Sequence, residues 1–337
     1  MLLVVNAGSS SLKLAVFDDG VVRARQVLER VSDPVAALRD GLAALAVQGY
    51  GLSVLTGAAH RVVHGGVGLT RACRVDDAVL AAIEACIPLA PLHNPANLAA
   101  MRALALLAPD LPQFASFDTA FHATNPEVAW RYALPPEAEA LGIRRFGFHG
   151  LSYAAIVRKL QESGENGPTK RLLALHLGNG ASLCAILGGQ SVATTMGYSP
   201  LSGLTMGSRS GDIDGNAVLR LAEVMGIAAA GRLLNQSAGL LGLGGASDMR
   251  ALLADGGVRA GFARAHFIYW LQRHAGSMIA AMQGLDAVVF TGGIGENDAD
   301  LRAQVMAGLG WAGPVPMMVI PAEEERQIAH EAGALIR

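Results

Sequence analysis

Residues 2–17 read LLVVNAGSSSLKLAVF, and residues 172–187 read LLALHLGNGASLCAIL. Each is an apolar run, a glycine- and serine-rich turn with a polar residue at its mouth, and a second apolar run. The second copy lies about half a chain length after the first in a sequence of 337 residues. A glycine turn between two strands points several backbone N–H groups into one small space, which suits phosphate oxygens. One such turn is an ordinary hairpin; two, one per half, make an internal repeat. The repeat implies two lobes on the same strand–turn–strand plan with a polyphosphate clamped between them, and so a kinase or ATPase of duplicated type.

Composition narrows the class. Hydrophobic residues make up 52% of the chain and charged ones 16%. Yet even the apolar stretch 218–234 is broken by Arg220, Glu223 and Arg232, so no membrane span is expected. MLLVVNAGSS has neither the basic region nor the apolar run of a signal peptide. A soluble, cytoplasmic protein is expected, its excess apolar surface spent on a large core and an oligomer interface. A net charge of −2 without a basic tract argues against nucleic acid. Cys73, Cys86 and Cys184 form no CxxC pair and read as reduced and metal-free. ESGENGPT (162–169) is the best candidate for a loop between lobes.

The periodicity predicts helices over 75–87 and 95–107, the second capped by Asn94 with Pro95 at its first position. A buried strand over 111–117 ends at Asp118, and a helix over 151–161 follows GFHG. One or two helices are expected over 217–236 and a long amphipathic one over 261–282. A buried strand over 286–290 runs into TGGIGEN. The tail 323–336 reads as a helix returning to the first lobe. Strands and helices mixed in this way argue α/β.

No GxxxxGK[ST], no GxGxxG after a strand and no kinase catalytic loop is present. Phosphate binding therefore falls to NAGSSS (6–11), HLGNGAS (176–182) and TGGIGEN (291–297). His60 and His64 stand at i, i+4 in AAHRVVHGG, but the valines between them favour a strand. There they lie roughly 13 Å apart and cannot share a zinc. Arg61, beside a glycine bend, is suited to grip a carboxylate bidentately. Asp118 and His122 in FDTAFH, His149 in RRFGFHG and Arg209 in MGSRSGDID are polar residues among apolar neighbours. Asp212 and Asp214 are placed to orient Arg209. The plain alternatives, core histidines and a tight turn held by its own carboxylates, stay open on these grounds alone.

Taken together, NAGSSSLK, HRVVHGG, PLHNPAN, FDTAFH, FGFHG, HLGNGAS, GSRSGDID, SDMR and GIGEN occur in an order that closely resembles the acetate kinase family, over nearly the whole chain. The resemblance implies the duplicated, two-lobed ribonuclease-H-like fold of acetate and sugar kinases, Hsp70 and actin, with the active-site cleft between lobes. It implies an N-terminal lobe of residues 1–119 plus 323–337 on the acyl side and a C-terminal lobe of 120–322 on the nucleotide side, in a homodimer. The implied reaction moves a phosphoryl group directly and reversibly from ATP to acetate, giving acetyl phosphate and ADP, with Mg²⁺ (or Mn²⁺ in its place). Carried over position by position, Arg61 binds the substrate carboxylate, and Val63, Leu92, Phe148 and Pro200 line the methyl pocket. His149 and Arg209 stabilise the transition state, and Asp118 stands where the family has its catalytic acid. Asn6 and Glu324 match the magnesium positions. Lys13, His176, Leu177, Gly178, Asn179 and Gly180 match nucleotide contacts, as do Asp248, Met249, Arg250, Gly293, Ile294, Gly295, Glu296 and Asn297.

The residue types suit the chemistry, because charge spread over the equatorial oxygens of the moving phosphoryl calls for cations and oriented donors. A carboxylate substrate of pKa about 4–5 is ionised near neutrality, so Asp118 is expected to orient Arg209 or the Mg²⁺ shell and not to remove a proton. The chain departs from the family in being shortened between Phe17 and His60 and between Trp311 and Val319. It has Gly215 for the proline of GDIDP, Gly292 where alanine is common, and Glu323 where asparagine is frequent, with Glu325 as the fallback for Glu324. Two rival readings are a propionate or butyrate kinase, since one methylene is worth only about 1–3 kcal/mol, and a non-catalytic actin-like nucleotide-binding protein.

Overall fold

The computed structural model describes residues 1–8, 11–29, 31, 33–164 and 170–336. Ser9 and Ser10 of the first glycine turn, and 165–169 of the expected interlobe loop, lie outside them. The chain divides into two compact units. One comprises Met1–Ala123, Phe148–Ala155 and Glu323–Arg337; the other comprises Thr124–Gly147 and Ile156–Ala322.

The first unit is built on strands β1 (Leu2–Ala7), β2 (Ser11–Asp18), β3 (Val21–Glu29), β4 (Gly57–Val62), β5 (Cys73–Arg74) and β6 (Gln113–Phe117), in the order β3-β2-β1-β4-β6-β5. β1, β2 and β3 form an antiparallel meander, while β1, β4 and β6 run parallel. Successive side chains of a strand face opposite ways, so an unbroken apolar run means that both faces are covered. Leu3 and Val5 pack with Leu38, Leu42 and Leu45 of the helix Pro34–Val47 and with Ala100, Ala103 and Leu104 of the helix Asn94–Leu107. Leu2 and Val4 meet Ile328, Ala329 and Ala332 of the helix Glu324–Ile336. The last helix of the chain thus completes the core around its first strand.

Local chemistry trims the expected helices. The one expected over 75–87 spans Asp77–Ala85. The Asp76 carboxylate accepts from Val79 N at 2.8 Å and starts it there. Ile87–Leu89 forms a separate 3₁₀ turn containing Pro88, which has no N–H to continue the ladder. Asn94 lies inside the helix Asn94–Leu107 and does not cap it: its amide is turned to other backbone, and the capping position falls to His93, whose side chain does not cap the first turn.

The second unit is built on β7 (Arg171–Leu177), β8 (Ala181–Leu187), β9 (Gln190–Thr194), β10 (Ala287–Thr291) and β11 (Met317–Val319), ordered β11-β10-β7-β8-β9. Its first three strands again form an antiparallel meander, and β7, β10 and β11 again run parallel. The repeat of sequence is therefore a repeat of topology, with β1 and β7 as equivalent central strands. The helix Val258–Met282 covers this sheet, and β8 is buried along nearly its whole length. Residues 217–236 break into three pieces, Gly215–Met225, Ile227–Arg232 and a π-helical turn Leu233–Ser237; Gly226, at φ +84°, ends the first.

Candidate active site

In the first unit, chemistry gathers at the C-terminal ends of the parallel strands. Arg61 sits near the end of β4 beside Ser116 of β6, and Asp118 follows β6, its N–H donating to the Val62 carbonyl at 3.0 Å. Arg61 Nε donates to both Asp118 oxygens at 3.1 and 3.2 Å, and Nη2 donates to Oδ2 at 2.7 Å. Nη1 meets Glu324 Oε2 at 3.2 Å. Burial opposes the charge on Arg61, but Asp118 and Glu324 more than offset it and raise its pKa. Burial pushes the Asp118 carboxyl up, Arg61 pulls it down, and Glu324 and Glu331 push it up again, leaving it at about 6. The hydrogen-bond partner of Asp118 is thus Arg61, where the sequence had suggested Arg209 or the Mg²⁺ shell.

Of three consecutive glutamates, Glu324 reaches this arginine, while Glu323 pairs with Arg326 and Glu325 with Arg25. Asn6 lies in β1 opposite Lys13 of β2. Asn6 and Glu324 carry only oxygen acceptors for a cation, the donor set that suits Mg²⁺. Among the described residues no three His, Cys, Asp or Glu side chains gather at one point. Mg²⁺ at a phosphoryl-transfer site takes one or two carboxylates plus phosphate oxygens, so two residues of this type fit it.

The bend after β4 is held by side chains whose role was not legible in sequence. Asn94 Oδ1 accepts from His64 N at 3.1 Å, and its Nδ2 donates to the His64 carbonyl at 3.0 Å and the Ile83 carbonyl at 3.3 Å. Asn97 Oδ1 accepts from Val63 N, and its Nδ2 donates to Ala7 O at 2.8 Å, tying the bend to β1. Gly65 N donates to Thr119 Oγ1. Burial lowers the pKa of both His60 and His64 to about 4, which leaves them neutral. The His64 ring packs edge-on against Phe148 at 5.5 Å.

Val63 and Phe148 are buried, whereas Leu92 is 44% exposed. His122, lowered to about 4 chiefly by burial, has Nε2 2.9 Å from the Phe148 carbonyl; a carbonyl only accepts, so that nitrogen carries the proton. His149 adopts φ +59°, an uncommon left-handed conformation for a non-glycine residue. At Gly150, whose N–H donates to Asp118 O at 2.8 Å, an added Cβ would overlap that same carbonyl oxygen.

The second unit contains a cavity of about 880 Å³. Gly178 and Asn179 line it from the turn after β7, Gly293, Ile294 and Asn297 from the helix Gly292–Asn297, and Asp248, Met249 and Arg250 from the start of the helix Met249–Asp255. Ser247, Leu253, Asp298, Ala299 and Asp300, not anticipated from sequence, complete the wall. Asp248 caps its helix by accepting from Arg250 N at 2.9 Å and also pairs with the Arg250 guanidinium. Glu296 turns to the protein's own backbone, accepting from Gly292 N and Ala322 N at 2.9 Å each. Leu177 and Gly295 are buried off the lining, which also omits His176 and Gly180; Lys13 belongs to the first unit.

Arg209 lies on an irregular segment of the second unit and donates from Nη1 to the Pro200 carbonyl at 3.0 Å. Burial lowers its pKa from the usual value. The neighbouring acids do not orient it, contrary to expectation. Asp212 accepts from Gly203 N at 2.7 Å and faces His274 at 3.6 Å, and Asp214 caps the helix Gly215–Met225.

Two sheets of equivalent strand order, each presenting its site at the same end of the central strands, define the duplicated fold of acetate and sugar kinases, Hsp70 and actin. Residues 26–329 match the model of the acetokinase family, and the chain belongs to that family. The acetate kinase of Pseudomonas aeruginosa PAO1 is 42% identical over 391 aligned positions, covering 99% of this chain and 98% of its own. Among solved structures, Porphyromonas gingivalis acetate kinase superposes with a TM-score of 0.90 at 33% identity, covering 100% of this chain and 99% of its own. A Francisella tularensis propionate kinase superposes with a TM-score of 0.89 at 33% identity, covering 98% of each. The 391 aligned positions against 337 residues here show the extent of the shortening.

Proposed function

We propose that this protein is an acetate kinase, transferring the γ-phosphoryl group of ATP directly and reversibly to acetate to give acetyl phosphate and ADP. The observation that carries the reading, beside family membership, is Arg61 held along one edge by the buried Asp118 at the end of β4. Pinned by Asp118 on one edge and by Glu324 at Nη1, the guanidinium presents its two remaining N–H groups in a fixed direction, which is what orienting a carboxylate requires.

Asp118 is assigned as the residue that fixes Arg61. Val63, Leu92, Phe148 and Pro200 are assigned to the acyl chain, and His149 and Arg209 to the charge that develops on the phosphoryl oxygens. The 880 Å³ cavity is assigned to the nucleotide, a volume suited to a ligand of that size. Asn6 and Glu324 are the residues that would hold Mg²⁺, which would supply charge neutralisation at the phosphates.

The protein is expected to act in the cytosol, in line with its three free cysteines, and as a homodimer. Support for the dimer comes from apolar side chains on the second unit's helices, with Ile227 and Val258 exposed by 84% and 93%. Light scattering after gel filtration tests it; a monomer at micromolar concentration overturns it.

Hydroxylamine trapping with acetate, ATP and Mg²⁺ tests the reaction. Acyl hydroxamate from the wild type and none from Arg209→Ala is the expected result; none from a folded, ATP-binding wild type refutes the reading. The propionate kinase among the structural neighbours favours propionate as the second acceptor. Comparing kcat/KM for acetate, propionate and butyrate ranks them, with differences of roughly 10- to 200-fold per methylene.

A further inference from the structure

Residues 195–214, which carry Arg209, contain no helix or strand. A segment of that length inside a compact unit keeps one shape only if specific bonds hold it. One side is held by backbone. The carbonyls of Met206, Gly207 and Ser208 accept from Leu240 N, Leu241 N and Ala238 N at 2.8, 2.9 and 3.0 Å, around the start of the helix Gly239–Gly244. The other side is not packed solid. A cavity of about 270 Å³ is lined by Thr205, Ser210 and Asp212 of the segment and by His266 and Trp270 of the helix Val258–Met282. Fewer side chains pack against the segment on that side, so a polar tether there matters more.

The tether has a direction set by chemistry. Trp270 Nε1 donates to His266 Nε2 at 3.0 Å, and an indole nitrogen can only donate. His266 Nε2 is therefore the acceptor, and the ring proton sits on Nδ1. That nitrogen is 3.0 Å from Thr205 Oγ1 and donates to it. Thr205 is buried, and the next residue's N–H, that of Met206, donates to the Arg209 carbonyl at 3.1 Å. A relay Trp270 → His266 → Thr205 thus ends one peptide from the turn that carries Arg209.

We propose that His266, locked in its Nδ1–H tautomer by Trp270, is a positioning residue for Arg209, acting through Thr205. The inference rests on the reading of Arg209 as the arginine that meets the transferring phosphoryl group.

Two variants separate the donor from the bulk of the ring. His266→Leu removes the hydrogen bond; His266→Asn places an amide N–H near the position of Nδ1. His266→Leu should lower kcat about tenfold while KM for acetate and ATP stays within about twofold, and His266→Asn should recover most of the loss. Unchanged kcat in His266→Leu overturns the proposal. An Asn variant no better than Leu, or a loss carried by KM instead of kcat, overturns it too.

Long-range ¹H–¹⁵N NMR of the full chain reads the tautomer without any turnover, and an Nε2–H His266 rules the relay out. Hydroxamate formation by the wild type and its absence in Arg209→Ala check the underlying reading in the same series. A wild type without product refutes that reading and the role of His266 together, while the NMR result still decides whether the relay exists.

Discussion

At Asp118, burial and pairing pull in opposite directions. Burial favours the neutral acid, the net pKa is about 6, and the ion pair with Arg61 needs the carboxylate. The sign follows directly. The folded pKa lies above the usual value, so this group's contribution to stability is greatest below about pH 4 and declines as pH rises through 6. The geometry of Arg61 runs the other way: it is intact above pH 6 and lost as Asp118 takes up a proton below it. Wild-type kcat/KM is therefore expected to show an acid limb near pH 6 that Asp118→Asn lacks. The variant should lose about 10²-fold in turnover, the scale of roughly 3 kcal/mol for truncating a buried charged pair. A pH–rate series on both proteins checks this. Recovery of wild-type turnover by Asp118→Asn on raising the pH alone would instead mark Asp118 as a general base. Sequence pointed to Arg61 and Asp118 separately; that they bind one another depends on two strands 57 residues apart lying side by side.

The bend after β4 shows what an element can hide. The helix beginning at HNPAN was legible because proline suits a first turn, and asparagine there reads most simply as a cap. The amide of Asn94 instead satisfies the His64 N–H, the His64 carbonyl and the Ile83 carbonyl, all in the interior. Asn94→Ala is expected to cost roughly 2–4 kcal/mol, because several buried backbone groups lose their partner at once. Urea unfolding measures it, and a change below 1 kcal/mol would show that water replaces the amide. The spacing of Asn94 and Asn97, one helical turn apart on a buried face, was the available signal; nothing in it names a partner 30 residues upstream.

At the scale of the molecule, the repeat of strand order explains why the two halves share a strand–turn–strand motif. The first unit is closed by the C-terminal helix, whose Ile328 is fully buried in the cluster with Leu2 and Val4. Ile328→Asp would put a carboxylate there without a partner, at a cost of more than about 3 kcal/mol. Hydrogen exchange should accelerate in β1, β2 and β4, while β7, β8 and β10 retain their protection. Equal acceleration in both sheets would show that the units unfold as one.

From sequence alone came the α/β class, the internal repeat, the family and the elements that flank the motifs, most of them to within a few residues; β3, β9, β11 and the helix Pro34–Val47 were not anticipated. These are written locally, in apolar periodicity, glycine turns and capping residues. Tertiary structure decided which charges meet: Asp118 and Glu324 with Arg61, Glu323 with Arg326, Glu296 with backbone, and His266 behind the segment that carries Arg209. The reason is physical. Secondary structure follows from interactions within a few residues, whereas a buried charge or a neutral imidazole takes its partner from whatever the folded chain brings within about 3 Å, and sequence spacing does not encode that distance.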